Sequence, residues 1–359
     1  MTHDVPPPPC PELFPMLRER TYLDTGSAGL SFPAQARAAA FYEDKQAAYL
    51  GRERWQQRAA AVRARLAAWL QVPPEEIDFF SGTTDALNIV GHSLPWRAGD
   101  EIVAAEDEFP SVRLAWRAAE QAGAVVRRIA VAREATREDD LLQALTPRTR
   151  VLVAAHVHSI TGTRLNLDRL GAACRERDCL FVVDGIHALG ATPAPLENVD
   201  VYASGVFKWL LAGFGLAVCV VRGRARRHLQ PAFRGYLNQP PETALQFAHV
   251  NYPALYVLDA SLQLLGETIG WEQVQWRTSQ LVERLAAALQ ARELELAAPP
   301  GARAGIASFA VPDAEALRIR LAQERIHVAA RGRYLRASPF FYNSAEDVDR
   351  LADAVRRMA

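Results

Sequence analysis

Only two lysines, Lys45 and Lys208, stand against 39 arginines in this chain, so a primary amine that persists here calls for a chemical reason. Lys45 lies in Glu43-Asp44-Lys45-Gln46, where a solvated charge pair explains it. Lys208 lies in Val206-Phe207-Lys208-Trp209-Leu210-Leu211. That apolar setting disfavours the charged amine, lowers its pKa and makes it a usable nucleophile. Arginine cannot substitute, because its guanidinium stays protonated and is no primary amine for condensation with a carbonyl. The competing reading is a lysine that snorkels from the edge of a core.

Three further groups could do chemistry. Asp184 ends the apolar run Leu180-Phe181-Val182-Val183, which puts a carboxylate at a strand terminus, either as a helix N-cap or as the partner of a buried cation. Ser81-Gly82-Thr83-Thr84-Asp85-Ala86 follows Phe79-Phe80 and opens a helix. Amides and hydroxyls there form a phosphate cradle, or an ordinary Ser/Thr N-cap. His156 and His158 alternate on a strand end and His187 follows Asp184 by three residues, but no third ligand at convincing spacing points to zinc. No metal is expected.

These groups need a scaffold, and the periodicity supplies one. Ala59 to Leu70 has helical spacing, and Glu101–Ala105, Val125–Val131, Val151–Ala155, Leu180–Val183 and Leu216–Val221 are short β-rich runs. Ser111 to Ala122 and Leu167 to Arg177 are expected to be helices between them. This alternation predicts an α/β fold with a mostly parallel sheet covered on both faces. A long helical region is expected over Ala254 to Arg292, and a small α+β domain from Gly305 to Met358. The implied organisation is an N-terminal arm over 1–20, a large domain over 21–240, a helical connection over 241–300 and a small C-terminal domain over 301–359. Ligands bind at the carboxyl edge of such sheets, where Asp184 and Lys208 fall.

Composition narrows the function further. With 41 basic and 41 acidic side chains, no polyanion-binding surface and hence no nucleic acid partner is expected. No apolar run approaches a membrane span, and the proline-rich start does not read as an export signal. Four cysteines without a CxxC pair fit a reducing cytoplasm.

A phosphate cradle, a buried carboxylate and a reactive lysine 24 residues later are the parts that hold pyridoxal 5'-phosphate. In that context the sequence resembles the class V aminotransferase family of fold-type I enzymes, which includes cysteine desulfurases, selenocysteine lyases and isopenicillin N epimerase. The resemblance is carried by Tyr22-Leu23-Asp24-Thr25-Gly26-Ser27-Ala28-Gly29, Ser81 to Asn88, Glu108-Phe109-Pro110-Ser111-Val112, Thr161-Gly162-Thr163, Val183 to Ala188, Ser204 to Leu210 and Leu335-Arg336-Ala337-Ser338. It implies that Lys208 forms the internal aldimine and shuttles the Cα proton, leading to a quinonoid. It also implies that Asp184 pairs with the pyridine nitrogen, His187 and Ser159 approach the phenolic oxygen, and Phe109 stacks on the ring. Thr83, Thr84 and Ser204 would serve the phosphate, Arg336 would bind the substrate carboxylate, and the Ser27-Ala28 segment would close over the substrate.

Departures from the family pattern matter as well. Phe207 and Gly205 stand where many relatives place His and Ser for the phosphate, and Asn251 or His249 is the candidate donor across a homodimer boundary, with Arg52 and Arg54 nearby. Ile326 to Leu335 has no cysteine, which disfavours a persulfide-forming desulfurase. The expected activity is class V aminotransferase-type chemistry on a small amino acid. A C–S or β-lyase or an epimerase is the alternative, and a non-catalytic binding protein on the same fold is the remaining one.

Overall fold

The computed structural model describes residues 5–240 and 244–358. Its strands are β1 (Thr21–Tyr22), β2 (Ile77–Phe80), β3 (Glu101–Ala105), β4 (Val125–Ile129), β5 (Thr149–Ala155), β6 (Leu180–Asp184), β7 (Val201–Gly205), β8 (Ala217–Val221), β9 (Ala307–Ala310), β10 (Ile326–His327), β11 (Ala329–Arg331) and β12 (Tyr334–Ala337). The main sheet has the order β2-β8-β7-β6-β5-β3-β4. Six of its strands run the same way and only β8 is reversed. The expected α/β fold-type I architecture is therefore present. Central strands β3, β6, β7 and β8 are buried along their whole length, as helices on both faces require.

Some elements differ from the sequence expectation for physical reasons. Strand β7 was not foreseen, because Ala203-Ser204-Gly205 has little intrinsic β preference; pairing with β6 and β8 imposes the extended form. The expected helix over Ser111 to Ala122 is two short ones, Pro110–Leu114 and Arg117–Gln121. The break falls at Trp116, whose indole Nε1 donates to the Val112 carbonyl at 2.8 Å while its ring is buried. The region from Ala254 to Arg292 is likewise interrupted. Helix Tyr252–Leu262 passes through a π-turn at Gln263–Ile269, stops at Gly270 (φ 95°) and resumes as Trp271–Gln290. Stacking of Trp271 on Trp69, with ring centroids 3.7 Å apart, fixes that corner.

The C-terminal part forms a three-stranded antiparallel sheet, β11-β12-β9, with a core that also receives Val5 and Leu23. Strand β1 pairs with β10 in parallel, through Thr21 with Ile326 and Tyr22 with His327. The segment Asp24 to Gly29 therefore leaves this separate two-stranded ladder and crosses to the edge of the large sheet. There the Gly29 amide donates to the Phe207 carbonyl at 2.9 Å.

Candidate active site

Five segments converge where the co-directional strands end: Ser81–Thr84 after β2, Glu106–Phe109 after β3, His156–Ser159 after β5, Asp184 at the end of β6, and the turn carrying Lys208 after β7. Lys208 is mostly buried, and its Nζ lies 3.0 Å from His187 Nε2. Burial, and then the cation of Arg336, bring the amine down to about 8, while Asp184 opposes the shift. His187 is held neutral, well below its ordinary value, by burial and then by the Lys208 charge. With Nε2 facing the amine, the imidazole proton is assigned to Nδ1, which is buried and has no partner.

Asp184 accepts the Ile186 amide at Oδ1, at 2.9 Å, and forms no ion pair with a described residue. Burial pushes its carboxyl up to about 6, against the pull of that amide and of Lys208, and Glu108 adds to the rise. A buried acid in this state is poised for a cation. The adjacent Gly185 is obligatory, since a Cβ there would lie 2.2 Å from the Tyr202 ring. Gly29 is required for the same kind of reason, because its Cβ would lie 2.1 Å from the Lys208 carbonyl oxygen.

The helix Thr83–Ser93 presents its N-terminus to the same edge. Its first amides have no side-chain cap, and the space around Gly82 is open, which suits an anion. Thr84 Oγ1 lies 2.7 Å from Ser111 Oγ. Two expected phosphate hydroxyls also contact Gly205, and Thr83 keeps its O–H as a donor. Thr83 Oγ1 accepts the Gly205 amide at 2.8 Å, and Ser204 Oγ donates to the Gly205 carbonyl at 3.1 Å. The Phe109 ring is 52% exposed at the site rim.

Arg336 is buried in the wall built by the small sheet. Its Nη1 donates to the Ser159 carbonyl at 2.8 Å, and its Nη2 to Ser27 Oγ at 2.9 Å and to Asp24 Oδ1 at 3.3 Å. Burial lowers its pKa to about 10, and its Nε has no partner. Ser27 Oγ in turn donates to Asp24 Oδ1, and the Ala28 carbonyl accepts from Tyr22 Oη at 2.7 Å. Ser27 and Ala28 thus sit on a braced turn beside Arg336.

Asn251 caps the helix Tyr252–Leu262, its Oδ1 accepting the Ala254 amide. It lines a cavity of about 620 Å³ with Ser81, Asp85, Gly215, Phe233 and His249, next to the uncapped helix end, and Lys208 does not line that cavity. Arg52 stacks over Tyr49, and Arg54 pairs with Asp44. Within the segments that follow β3 and β5, Asp107 and His158 lie with Glu134 close enough together to hold a metal ion. The Arg137 guanidinium already bonds both carboxylates and supplies the cation.

Sequence reasoning assigned no role to three contributors. Tyr22 braces the Ala28 turn, and Ser338 Oγ accepts the Gly26 amide at 2.8 Å. Arg331 donates to Ser27 Oγ at 3.3 Å. The signal for Arg331 was the β-alternation from Ala329 to Arg336, which becomes readable only once the hairpin register is known.

The chain is similar to known proteins in sequence and in fold. The chain is 31% identical to isopenicillin N epimerase of Amycolatopsis lactamdurans over 83% of its length and 84% of the relative's. It is 28% identical to a probable cysteine desulfurase of Xylella fastidiosa over 83% of this chain and 79% of that one. Among solved structures, the lyase C-DES with glycine covalently linked to its PLP cofactor superposes with a TM-score of 0.88 at 25% identity, covering 96% of this chain and 98% of the other. The family model for aminotransferase class-V matches residues 36–351, and with the relatives above it establishes that the chain belongs to that family.

Proposed function

We propose that this chain is a pyridoxal 5'-phosphate enzyme of class V aminotransferase type that acts at the Cα of a small amino acid. The observation that carries the reading is the pair formed by Lys208, a buried amine brought down to about 8, and Asp184, a buried acid without a cationic partner. The donor set fits the cofactor. Lys208 would hold its aldehyde, Asp184 its protonated ring nitrogen, Phe109 its ring face, and His187 with Ser159 its phenolic oxygen. Thr84 and the open helix end at Thr83 would hold the phosphate. When bound, the cofactor supplies an electron-withdrawing ring that acidifies the substrate's Cα–H.

The protein's own residues do the rest. Lys208 Nζ, partly unprotonated near neutrality, carries a proton to and from Cα. His187 holds that amine at 3.0 Å. Arg336 offers a buried guanidinium to the substrate carboxylate, while Ser27 and Ala28 exclude water from above.

A second reading, a C–S or β-lyase or an epimerase, uses the same proton transfer. It is favoured by the names of the relatives and by the C-DES structure described as a cystine C–S lyase complex, which aligns with a TM-score of 0.87. The stretch Ile326 to Leu335, which spans β10, β11, the hairpin turn and the first half of β12, carries no cysteine, so persulfide formation on an enzyme thiol there is disfavoured.

The phosphate cradle is thin in charge, since its donors within one chain are a helix end and hydroxyls. We therefore place a second copy of the chain over the cavity beside it, as a homodimer, where exposed Phe214, Phe233 and Tyr236 offer apolar contact surface. Among the described residues no helix is long and apolar enough to cross a membrane. The four free cysteines support a cytoplasmic setting.

The test is reconstitution with pyridoxal phosphate, borohydride reduction and peptide mapping. A visible band and an adduct on Lys208 are expected, and an adduct elsewhere, or no band, overturns the assignment. A panel of single amino acids, assayed for keto acid, ammonia, sulfide and optical inversion, then separates transamination from elimination and epimerisation.

A further inference from the structure

We infer that Arg331 is a specificity residue and that the substrate is an amino acid with a second carboxylate on its side chain. This rests on the amino-acid reading above and adds the class of side chain. Strands β11 and β12 form a hairpin closed by Gly332 and Arg333, with Gly332 at φ 59°. The register pairs Arg331 with Tyr334 and Ala329 with Arg336. Residues two apart on a strand share a face, and so do directly opposed residues, which puts Arg331 and Arg336 on one face of the hairpin. Both guanidinium groups donate to the same acceptor, Ser27 Oγ, at 3.3 Å and 2.9 Å.

The two arginines are unequal in a way that assigns them different tasks. Arg336 is buried and has Asp24 beside it. Arg331 is exposed at the rim, and its hydrogen bonds go to the Ala330 carbonyl and to Ser27 Oγ, with no ion pair to a carboxylate of the described residues. Its neighbour Arg333 is turned to Glu295 at 2.8 Å. The charge of Arg331 also reaches the reacting end of the site, where it helps lower Lys208 and His187. Two like charges on one hydroxyl repel, and an arriving anion relieves that repulsion. A substrate with its α-carboxylate on Arg336 and a distal carboxylate on Arg331 satisfies both, and a neutral side chain leaves Arg331 uncompensated.

The experiment compares ligands and variants. Calorimetry with glutarate against pentanoate, which share a five-carbon chain, reads carboxylate pairing on apoprotein and holoenzyme without any turnover. Kinetics on the holoenzyme compare L-glutamate and L-2-aminoadipate with L-glutamine and L-norvaline. Wild type should favour the dicarboxylates by roughly 10- to 100-fold, the range for a charge-assisted pair. Arg331→Gln should erase that preference through KM rather than kcat, Arg331→Lys should restore part of it, and Arg333→Gln should keep it. Equal binding of glutarate and pentanoate by wild type, or a preference that survives Arg331→Gln, overturns the inference. Failure of the cofactor reading would look different: no visible band and no turnover, with glutarate selectivity still measurable.

Discussion

The lowered pKa of Lys208 makes a quantitative prediction about how fast the apoprotein captures its cofactor. Condensation needs the free amine. At pH 7 an amine titrating near 8 is roughly one-tenth unprotonated, whereas an ordinary lysine near 10.5 is free in roughly three molecules per ten thousand, a difference of roughly 300-fold. Burial is the main cause and the Arg336 cation the next, with Asp184 pulling the other way. Arg336→Gln removes a like charge, stabilises the ammonium, and should move the midpoint of the capture rate upward by about one pH unit. Asp184→Asn removes the opposing anion and should move it downward. Stopped-flow growth of the visible band across pH 6 to 11, on variants whose far-UV circular dichroism matches wild type, reads all three midpoints. A wild-type midpoint near 10.5, or shifts in the same direction for both variants, would refute the electrostatic account.

Other expectations follow from single residues. Asp184→Asn should retain cofactor but slow Cα proton exchange, followed by deuterium washout, on the order of 100- to 1,000-fold; near-normal exchange would remove Asp184 from the mechanism. Gly29→Ala puts a methyl 2.1 Å from the Lys208 carbonyl oxygen and should destabilise the protein by about 1–3 kcal/mol in urea unfolding, whereas Gly82→Ala, in open space, should not. Sedimentation equilibrium with and without cofactor tests the homodimer, and a monomer that keeps cofactor and activity at every concentration would exclude it.

Much of this site was legible because its chemistry depends on residue type at strand ends. A lone lysine in an apolar run and an aspartate closing a buried strand are visible without coordinates, and the structure brings both to one edge of the sheet. What escaped depends on pairing between distant segments. Strand β7 exists because β6 and β8 flank it, not because Ala203-Ser204-Gly205 favours extension. The contacts of the Thr83 and Ser204 hydroxyls with the Gly205 amide and carbonyl are also invisible in sequence, though Thr83, which accepts, keeps its own proton to donate. The helix cap made by Asn251, whose Oδ1 accepts the Ala254 amide, is a local contact that the sequence reading likewise did not assign.

The hidden part of the design is the junction between the C-terminal body and the main sheet. Strand β1 leaves its partner β10, and within seven residues the chain has crossed from that two-stranded ladder to the carbonyl of Phe207, next to Lys208. Along that crossing, Thr25 Oγ1 meets Tyr342 Oη at 2.6 Å, the Gly26 amide meets Ser338, and Ser27 meets Arg336. Each contact joins the N-terminal crossing to the C-terminal body. A movement of that body would therefore carry Arg336, Arg331 and Ser27 together relative to Lys208, which sits on the large sheet. Binding energy gained at either carboxylate can thus act on the placement of Cα against the amine, which is where positional accuracy raises the rate.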